Sequence, residues 1–419
     1  MNAREPTAKA TIRNDRALVL DEQLLTRTGI APGDELIVVE TDTGLLLRKA
    51  DPSPRRVYVE PTNGCNLSCQ ACMRHSWHEQ IGFMSMDTYN LLIEGLRAIP
   101  SARSINFWGF GEPLLHPNIS EMIALAKGIG ADTRMITNGL RIDARMARKL
   151  VSAGLDSVVV SVDGASPNIH AAARAGSDLD RVQRNVALLR SIRDAARSRS
   201  PEIGLEFVLT RQNVGEIKNL LELARSMEAS FLVVSHVLPY TEEMVDQTLY
   251  GSSAGSVYPH HRSKWTPEVV LPRIDWRREL DSHILELLQH SSQKEFSPDR
   301  MEGSSGYCPF VNQGSLVVAW DGSVSPCVPL MHSYSCFVLG RAKSIRKCSF
   351  GNVGSENARA IWDRADFRRF RESVVKFAFP PCTDCGGCDL SASNEVDCLG
   401  NGFPTCGDCL WAKGVIQCP

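Results

Sequence analysis

The residues best suited to chemistry in this chain are three cysteines, Cys65, Cys69 and Cys72, at a C-x3-C-x2-C spacing. Iron–sulfur clusters are held by cysteine thiolates at close spacings of this kind. Because a 4Fe–4S cluster has four irons, three cysteines leave one iron open to a small chelating molecule. The alternative is a zinc site, which His75 and His78 could complete with imidazole ligands.

Strands and helices alternate from residue 57 to about residue 237, which predicts βαβ units and a parallel sheet. The predicted strands cover residues 57–60, 104–107, 134–137, 157–162, 204–209 and 231–235. The predicted helices cover residues 86–98, 119–128, 143–153, 178–198 and 214–227. In such sheets ligands bind at the carboxyl ends of the strands. We therefore expect an α/β fold in which the three cysteines follow the first strand.

Polar and glycine residues follow the next three predicted strands. The second strand leads into a Gly-x-Gly-Glu stretch, in which glycines let the backbone approach a ligand closely and a carboxylate offers an acceptor for an ammonium group. Its candidate site residues are Gly109, Gly111 and Glu112. Asn138 follows the third strand, although Asn-Gly is also a common turn dipeptide. The fourth strand ends with Ser161 and Asp163, which lie on one side of an extended chain and otherwise would cap the following loop.

The cysteine spacing and the strand-end motifs together resemble the radical SAM superfamily over about residues 57–240. The resemblance implies a partial (βα)6 barrel and a 4Fe–4S cluster on the three cysteines. It also implies that the open iron chelates the amino and carboxylate groups of S-adenosylmethionine (SAM). The reduced cluster would cleave SAM to a 5′-deoxyadenosyl radical, while the protein binds and shields the cofactor.

The same resemblance implies roles for the strand-end residues. The Gly-x-Gly-Glu stretch resembles the Gly-Gly-Glu motif that holds the methionine amino group of SAM, with Phe110 in place of one glycine. The serine and aspartate that end the fourth strand would hydrogen-bond the ribose hydroxyls. Ala71 stands where the family usually has an aromatic residue. No catalytic residue that faces the substrate can be named from the sequence.

Eleven of the 14 cysteines lie between residues 308 and 418. In a long chain without a visible signal peptide, metal ligation is the better interpretation than disulfides. Zinc ribbons and iron–sulfur clusters both use C-x2-C pairs. Cys336 and Cys348 stand outside the pattern and are either free buried thiols or ligands. The candidate ligands of this region are Cys308, Cys327, Cys382, Cys385, Cys388, Cys398, Cys406, Cys409 and Cys418.

The spacing C-x13-G-x4-C, built on a predicted Asp-Gly hairpin, resembles the opening of the SPASM domain. The resemblance covers about residues 305–419 and implies two auxiliary 4Fe–4S clusters, as in radical SAM enzymes that modify peptides and proteins. The later cysteines depart from the usual SPASM spacing. The sequence therefore does not assign each thiol to a cluster.

Residues 8–50 predict a small unit of short strands, with a hairpin formed by residues 35–40 and 44–48. The stretch Gly-Ile-x-Pro-Gly-Asp-Glu-Leu resembles the swapped-hairpin domain of AbrB-type regulators, which dimerises and often binds DNA. Residues 1–56 carry nine Lys/Arg and nine Asp/Glu. This balance lacks the electrostatic footprint of DNA binding, so we expect a homodimer or partner contact, with DNA binding and a passive cap as alternatives.

Four regions are expected from these signals: residues 1–52 as the AbrB-like domain, 53–240 as the barrel, 241–304 as a connecting loop and helix, and 305–419 as the SPASM-like domain. The net charge of −2 gives no sign of nucleic acid or an acidic membrane surface as a partner. Residues 1–21 have no apolar signal-peptide core and no run of 18 apolar residues exists, so we expect a cytoplasmic protein.

Three functions remain open. The tail at residues 404–419 and the AbrB-like start resemble radical SAM/SPASM maturases of tungsten-dependent aldehyde ferredoxin oxidoreductases, which implies a pterin-cofactor or protein substrate. The second hypothesis is a peptide-modifying enzyme that forms a thioether or oxidises a side chain. Either enzyme would need a reducing donor such as ferredoxin or flavodoxin. The third is a zinc-bearing DNA-binding regulator.

The cofactor content gives the first test. We expect roughly twelve irons and a matching amount of acid-labile sulfide per chain in anaerobically purified protein, because three 4Fe–4S clusters require them. The measurement is iron, zinc and sulfide per chain. About four irons together with zinc would restrict the cluster to the first cysteine motif, and zinc without sulfide would contradict the enzyme hypotheses.

Overall fold

The computed structural model describes residues 10–22, 25, 30, 36–41, 44–49, 53–250, 307–383, 385 and 387–417. The helix of the connecting region, predicted at residues 276–289, lies outside the described residues, and so does the candidate ligand Cys418. The chain divides into two compact units, Met1–Ser53 and Pro54–Pro419. None of the described helices is both long and apolar enough to cross a membrane.

The described residues of the first unit form two antiparallel strand pairs. Strand β1 (Ala10–Ile12) pairs with β2 (Leu18–Leu20), and β3 (Leu36–Thr41) pairs with β4 (Gly44–Lys49). The second pair confirms the predicted hairpin, because Thr41 lies opposite Gly44 at its turn. The AbrB-like resemblance of this unit stays a prediction.

The second unit contains twelve strands among its described residues. They are β5 (Arg56–Val59), β6 (Ser68–Cys69), β7 (Ser104–Phe107), β8 (Asp132–Thr137), β9 (Ser157–Ser161), β10 (Arg174–Ala175), β11 (Glu202–Leu209), β12 (Phe231–His236), β13 (Ser315–Val318), β14 (Val324–Ser325), β15 (Tyr334–Val338) and β16 (Arg341–Ile345). Six of them, β5, β7, β8, β9, β11 and β12, lie side by side in chain order and all run parallel. This arrangement of six parallel strands confirms the predicted partial barrel.

Helices join the parallel strands and cover the sheet. In chain order the described helices are α1 (Met86–Arg97), α2 (Ile119–Gly128), α3 (Ala144–Ser152), α4 (Pro167–Ala173), α5 (Leu179–Ala195), α6 (Ile217–Ser226), α7 (Pro309–Asn312), α8 (Ala358–Asp363) and α9 (Ala365–Lys376). Helix α5 buries Leu179, Val182, Val186 and Leu189, the stripe its apolar spacing predicts. It ends earlier than predicted, because Arg197 adopts a left-handed conformation with φ of 52°.

The C-terminal region extends the barrel sheet. Strand β13 runs parallel to β5, with Leu316 opposite Val57 and Val318 opposite Val59, and β14 pairs antiparallel to β13. The sheet therefore has eight strands. The sequence predicted the β13–β14 hairpin but not its pairing with β5, because the two strands are far apart in the chain. This pairing brings the Cys308–Cys327 region beside the first barrel strand.

Candidate functional site

The three cysteines of the first motif lie on one loop after β5, held by a short strand pair. Strand β6 pairs antiparallel with β10, so that Cys69 lies opposite Arg174. All three thiols are partly buried and free. Burial raises the pKa of Cys69 to about 11, the charge of Arg174 lowers it, and the thiols of Cys72 and Cys65 raise it further. The three thiols thus lie close enough to influence one another, as ligands of one cluster must.

The Gly-x-Gly-Glu stretch contacts the start of the cysteine loop through its backbone. A Cβ atom on Gly111 would lie 2.1 Å from the carbonyl oxygen of Thr62 and 2.6 Å from that of Gly64. The amide of Glu112 donates to the Gly64 carbonyl at 2.8 Å. A glycine is required at position 111 because no side chain fits between these two segments. The two predicted motifs therefore form one backbone surface.

The carboxylate of Glu112 is almost fully buried and points into the protein. It accepts hydrogen bonds from the amide of Leu114 at 3.0 Å, the hydroxyl of Thr137 at 2.7 Å and the amide of Asn138 at 2.8 Å. Burial raises the pKa of this carboxyl group and the three donors lower it. These contacts fix the ends of β7 and β8 relative to each other. Direct contact between Glu112 and an ammonium group stays a prediction.

Asn138 connects the end of β8 to the cysteine loop. Its side-chain amide lies 3.1 Å from Asn66 Oδ1 and 3.9 Å from Cys65 Sγ. Its side-chain oxygen accepts from the amide of Leu140, as in an Asx turn. Asn138 therefore forms a turn, as its Asn-Gly dipeptide predicts, and also lies at the candidate site. Hydrogen bonds to cluster sulfurs are one of the protein's means of tuning a cluster.

A charged group lies where β9 ends. Asp163 accepts from the guanidinium of Arg174 at 2.7 Å and from the amide of Val208 at 3.0 Å. The hydroxyl of Ser161 donates to Glu206 at 3.1 Å. These protein contacts hold Ser161 and Asp163 at the carboxyl ends of the strands beside Cys69. Their predicted contact with ribose stays a prediction.

Arg174 and Glu206 are site residues that the sequence reasoning missed. Burial would lower the pKa of Arg174, but the charges of Asp163, Cys69 and Glu206 raise it, so its guanidinium remains charged. Burial raises the pKa of Glu206 to about 7, against the opposing effect of Arg174. Glu206 is the one polar residue of the strand predicted at residues 204–209, and this carboxylate was a usable signal. No signal in the sequence pointed to Arg174, because only the pairing of β6 with β10 brings this residue to the cysteine loop.

The mutual effects of the C-terminal thiols on their pKa values suggest two sets. One set consists of four buried or partly buried thiols, those of Cys308, Cys327, Cys406 and Cys409. Burial is the main cause that raises the pKa of each, and other cysteines of this set or a nearby charge raise it further. Cys382 has a pKa raised to about 11 by burial, Asp408 and the thiols of Cys385 and Cys398. Cys388 is exposed on the same segment. The sequence could not make this division, because it joins residues about a hundred positions apart.

The two cysteines outside the spacing pattern occupy buried positions. Cys336 lies on β15 in an apolar cluster with Tyr334, Val338 and Leu410, and burial raises its pKa to about 12. Burial also raises the pKa of Cys348 to about 12. An apolar environment disfavours the thiolate form that ligates metals. For Cys336 the packing supports the interpretation of a free buried thiol.

Within the described ranges, no three His, Cys, Asp or Glu side chains are arranged to hold a single metal ion. The fit to a larger cofactor rests on the chemistry of the donors, which are thiols grouped on loops next to the barrel mouth. Sets of thiols without other ligands suit iron–sulfur clusters. Burial favours the protonated form of these thiols, so binding of a cluster would release their protons.

Comparison with known proteins agrees with this architecture. Residues 59–224 match the model of the radical SAM superfamily, and residues 308–389 match that of SPASM, an iron–sulfur cluster-binding domain. The chain is 29% identical over 367 residues to the "tungsten-containing aldehyde ferredoxin oxidoreductase cofactor-modifying protein" of Pyrococcus furiosus, covering 87% of this chain and 96% of the relative.

Two further proteins resemble parts of the chain. It is 27% identical over 188 residues to the PqqA peptide cyclase of Gluconobacter oxydans, covering 45% of this chain and 50% of that protein. The crystal structure of Streptococcus suis SuiB bound to precursor peptide SuiA superposes with a TM-score of 0.54 at 14% identity, covering 84% of this chain and 72% of that one. At this identity the superposition supports the fold alone.

The contact around Gly111 gives a mutational test. We expect Gly111→Ala to lower the free energy of unfolding by about 1–3 kcal/mol or more, because the added methyl group overlaps two backbone carbonyls. Gly128→Ala is the matched control, since nothing lies within 4 Å of its Cβ position. The measurement is the thermal unfolding midpoint of both variants and the parent protein. Equal midpoints for the two variants would contradict the contact.

Proposed function

We propose that this chain, which belongs to the radical SAM superfamily and carries a SPASM domain, is a maturase that modifies the cofactor of a tungsten-dependent aldehyde ferredoxin oxidoreductase or its apoprotein. The observation that carries the radical SAM chemistry is the convergence of Cys65, Cys69 and Cys72 with the Gly109–Glu112 stretch at the carboxyl ends of parallel strands. Support for the maturase role is the likeness to the Pyrococcus furiosus cofactor-modifying protein along nearly its whole length.

The residues around the cysteine loop suit the binding of SAM. When bound and reduced, a 4Fe–4S cluster supplies the electron that cleaves SAM to methionine and a 5′-deoxyadenosyl radical. In our proposal Cys65, Cys69 and Cys72 ligate three of its irons. Arg174, charged and buried beside Cys69, offers a fork of donors that suits a carboxylate. Asn138 steadies the loop through its contact with Cys65.

The surroundings of the loop suit radical chemistry. A buried apolar cluster includes Met73, which directly follows the third cysteine, and Leu238 from the barrel end. Its C-terminal members include Tyr334, Leu410 and Ile416. An apolar wall excludes water and limits side reactions of a reactive intermediate. The chain thus supplies a shield as well as ligands.

For the auxiliary clusters we propose two thiol sets. Cys308, Cys327, Cys406 and Cys409 would ligate one cluster, and Cys382, Cys385 and Cys398 would contribute to the other. Support comes from the mutual effects of these thiols on their pKa values. Cys388 and Cys418 stay candidate ligands without an assigned cluster.

The partners are proposals of the same kind. We infer a protein, peptide or pterin-cofactor substrate and a reducing donor such as ferredoxin or flavodoxin. A homodimer through residues 1–52 and a cytoplasmic location also remain proposals. The second candidate, a peptide-modifying enzyme, is favoured by the likeness to the PqqA peptide cyclase. The zinc-bearing DNA-binding regulator is not retained, because the matched families are enzymes with an iron–sulfur domain.

The first cysteine set gives a sharp mutational test. We expect Cys69→Ala to abolish SAM cleavage and to remove about four irons per chain, because a cluster with two remaining ligands is not retained. The measurement is 5′-deoxyadenosine formed with SAM and dithionite under anaerobic conditions, together with iron content. Cys336→Ala is the control and should cleave SAM like the parent protein. Residual cleavage in Cys69→Ala would contradict the assignment.

The choice between substrates needs a separate experiment. We expect tungstopterin, free or on the oxidoreductase apoprotein, to increase 5′-deoxyadenosine formation and to appear as a mass-shifted product. A peptide rich in Cys or Ser serves as the comparison substrate. If SAM cleavage is indifferent to the tungstopterin and the peptide gives the shifted mass, the peptide-modifying function replaces the maturase function.

A further inference from the structure

Three ionisable residues outside the cysteine loops form a buried chain. His332 Nε2 lies 2.9 Å from Glu60 Oε2, and His332 Nδ1 lies 2.5 Å from Glu79 Oε2. The side chain of Glu60 is fully buried, that of His332 is 2% exposed and that of Glu79 is 22% exposed. We call these residues the Glu60–His332–Glu79 bridge. None of them belongs to a motif that the sequence singled out.

The bridge joins the two regions that carry the predicted cofactors. Glu60 directly follows β5, and Glu79 follows the cysteine loop. His332 lies between Cys327 and β15 in the C-terminal region. A side chain from the predicted SPASM region is therefore held between two carboxylates from the predicted barrel region.

Aromatic rings enclose the imidazole. The ring of Trp77 lies 4.5 Å from that of His332 at an interplanar angle of 72°, and the ring of Phe110 lies 5.8 Å away. Trp77 and Phe110 also contact each other, with centroids 5.9 Å apart. These rings keep water from the charged group, which strengthens its electrostatic interactions.

The imidazole carries a positive charge at neutral pH. Burial would lower the pKa of His332, but the hydrogen bonds and charges of Glu60 and Glu79 raise it to about 9. Both ring nitrogens can then donate, one to each carboxylate. Without the cation the two carboxylates would face each other with no positive charge between them, which would weaken the contacts that orient Glu60.

The bridge also contacts the Gly-x-Gly-Glu stretch. The second oxygen of Glu60 accepts from the amide of Phe110 at 3.0 Å. A Cβ on Gly109 would lie 2.4 Å from Glu60 Cγ, so the stretch passes directly over this side chain. One oxygen of Glu60 thus binds His332 and the other fixes the backbone at Phe110. The orientation of the Glu60 carboxylate depends on both contacts.

We propose that His332 is a positioning residue through which the C-terminal region holds the Gly109–Glu112 stretch in its SAM-binding geometry. The proposal rests on the SAM-binding function proposed above. It extends that function by making the affinity for SAM depend on the docking of the auxiliary-cluster region. His332 acts through Glu60 and the backbone of Phe110 and does not itself contact SAM.

The test compares His332→Gln with the parent holoenzyme. Glutamine fills a similar space and keeps hydrogen-bonding groups but removes the charge. We expect the SAM concentration that gives half-maximal 5′-deoxyadenosine formation to rise about tenfold, a coupling of ordinary size between sites. The rate at saturating SAM and the iron content should stay near those of the parent protein. Hydrogen–deuterium exchange of amides 109–112 should become faster.

Two further variants serve as a milder test of the bridge and as a control for the effect of His332→Gln. Glu79→Gln removes the more exposed carboxylate, so it should shift half-saturation in the same direction by a smaller factor without loss of the fold. Lys127→Gln is the matched control, because it breaks an ion pair of 2.7 Å with Asp156 at the amino end of β9, away from the bridge. It should change neither half-saturation nor the exchange of amides 109–112.

Unchanged half-saturation and exchange in His332→Gln would overturn the proposal, and so would an equal effect of Lys127→Gln. If His332→Gln loses iron, the Glu79→Gln variant provides the test instead. An unchanged half-saturating SAM concentration in Glu79→Gln would then overturn the proposal. Failure of the proposed function is distinguishable, because the parent protein would then not cleave SAM. The exchange of amides 109–112 would still report whether His332 positions this stretch.

Discussion

The backbone contact between Gly111 and the residues just before Cys65 is the constraint on which the site depends. The Glu112 amide bonds the Gly64 carbonyl, and no side chain fits at position 111. This contact locks the loop after the second barrel strand against the loop that carries the three thiols. A cluster and a molecule chelated to it must touch both loops, so a small displacement of either would separate them.

Paired buried charges near the proposed cofactor sites are a second feature of the structure. Glu112 accepts three hydrogen bonds, Asp163 pairs with Arg174, and His332 lies between two carboxylates. Burying an ionised group without partners is costly, so these networks hold loops in one arrangement. They lie at the carboxyl ends of the strands or at the junction with the C-terminal region. The polar networks therefore coincide with the parts of the chain that must fix a cofactor.

Much of the architecture was predictable because it follows from local patterns. Alternating apolar strands and amphipathic helices predicted the six parallel strands and five helices with ends correct to within about three residues, and Asp-Gly predicted the β13–β14 hairpin. The short helix α4 was not predicted. The cysteine spacing placed three thiols on one loop. The roles of Arg174 and His332 were not predictable, because each depends on a neighbour brought close by folding. Glu206 did leave a signal, as a carboxylate within a predicted apolar strand. The helix predicted at residues 276–289 lies outside the described part of the chain.

The sequence by itself determined the order of the elements, the α/β class, and which residues stand at the strand ends, since side-chain periodicity and short spacings encode these features locally. Only the tertiary structure shows that β13 joins β5, and it is also the basis for the proposed sets of distant thiols. It also decided that a histidine of the C-terminal region contacts Glu60 beside the Gly109–Glu112 stretch. The physical reason is that such contacts arise from packing between segments far apart in the chain, which no local pattern specifies.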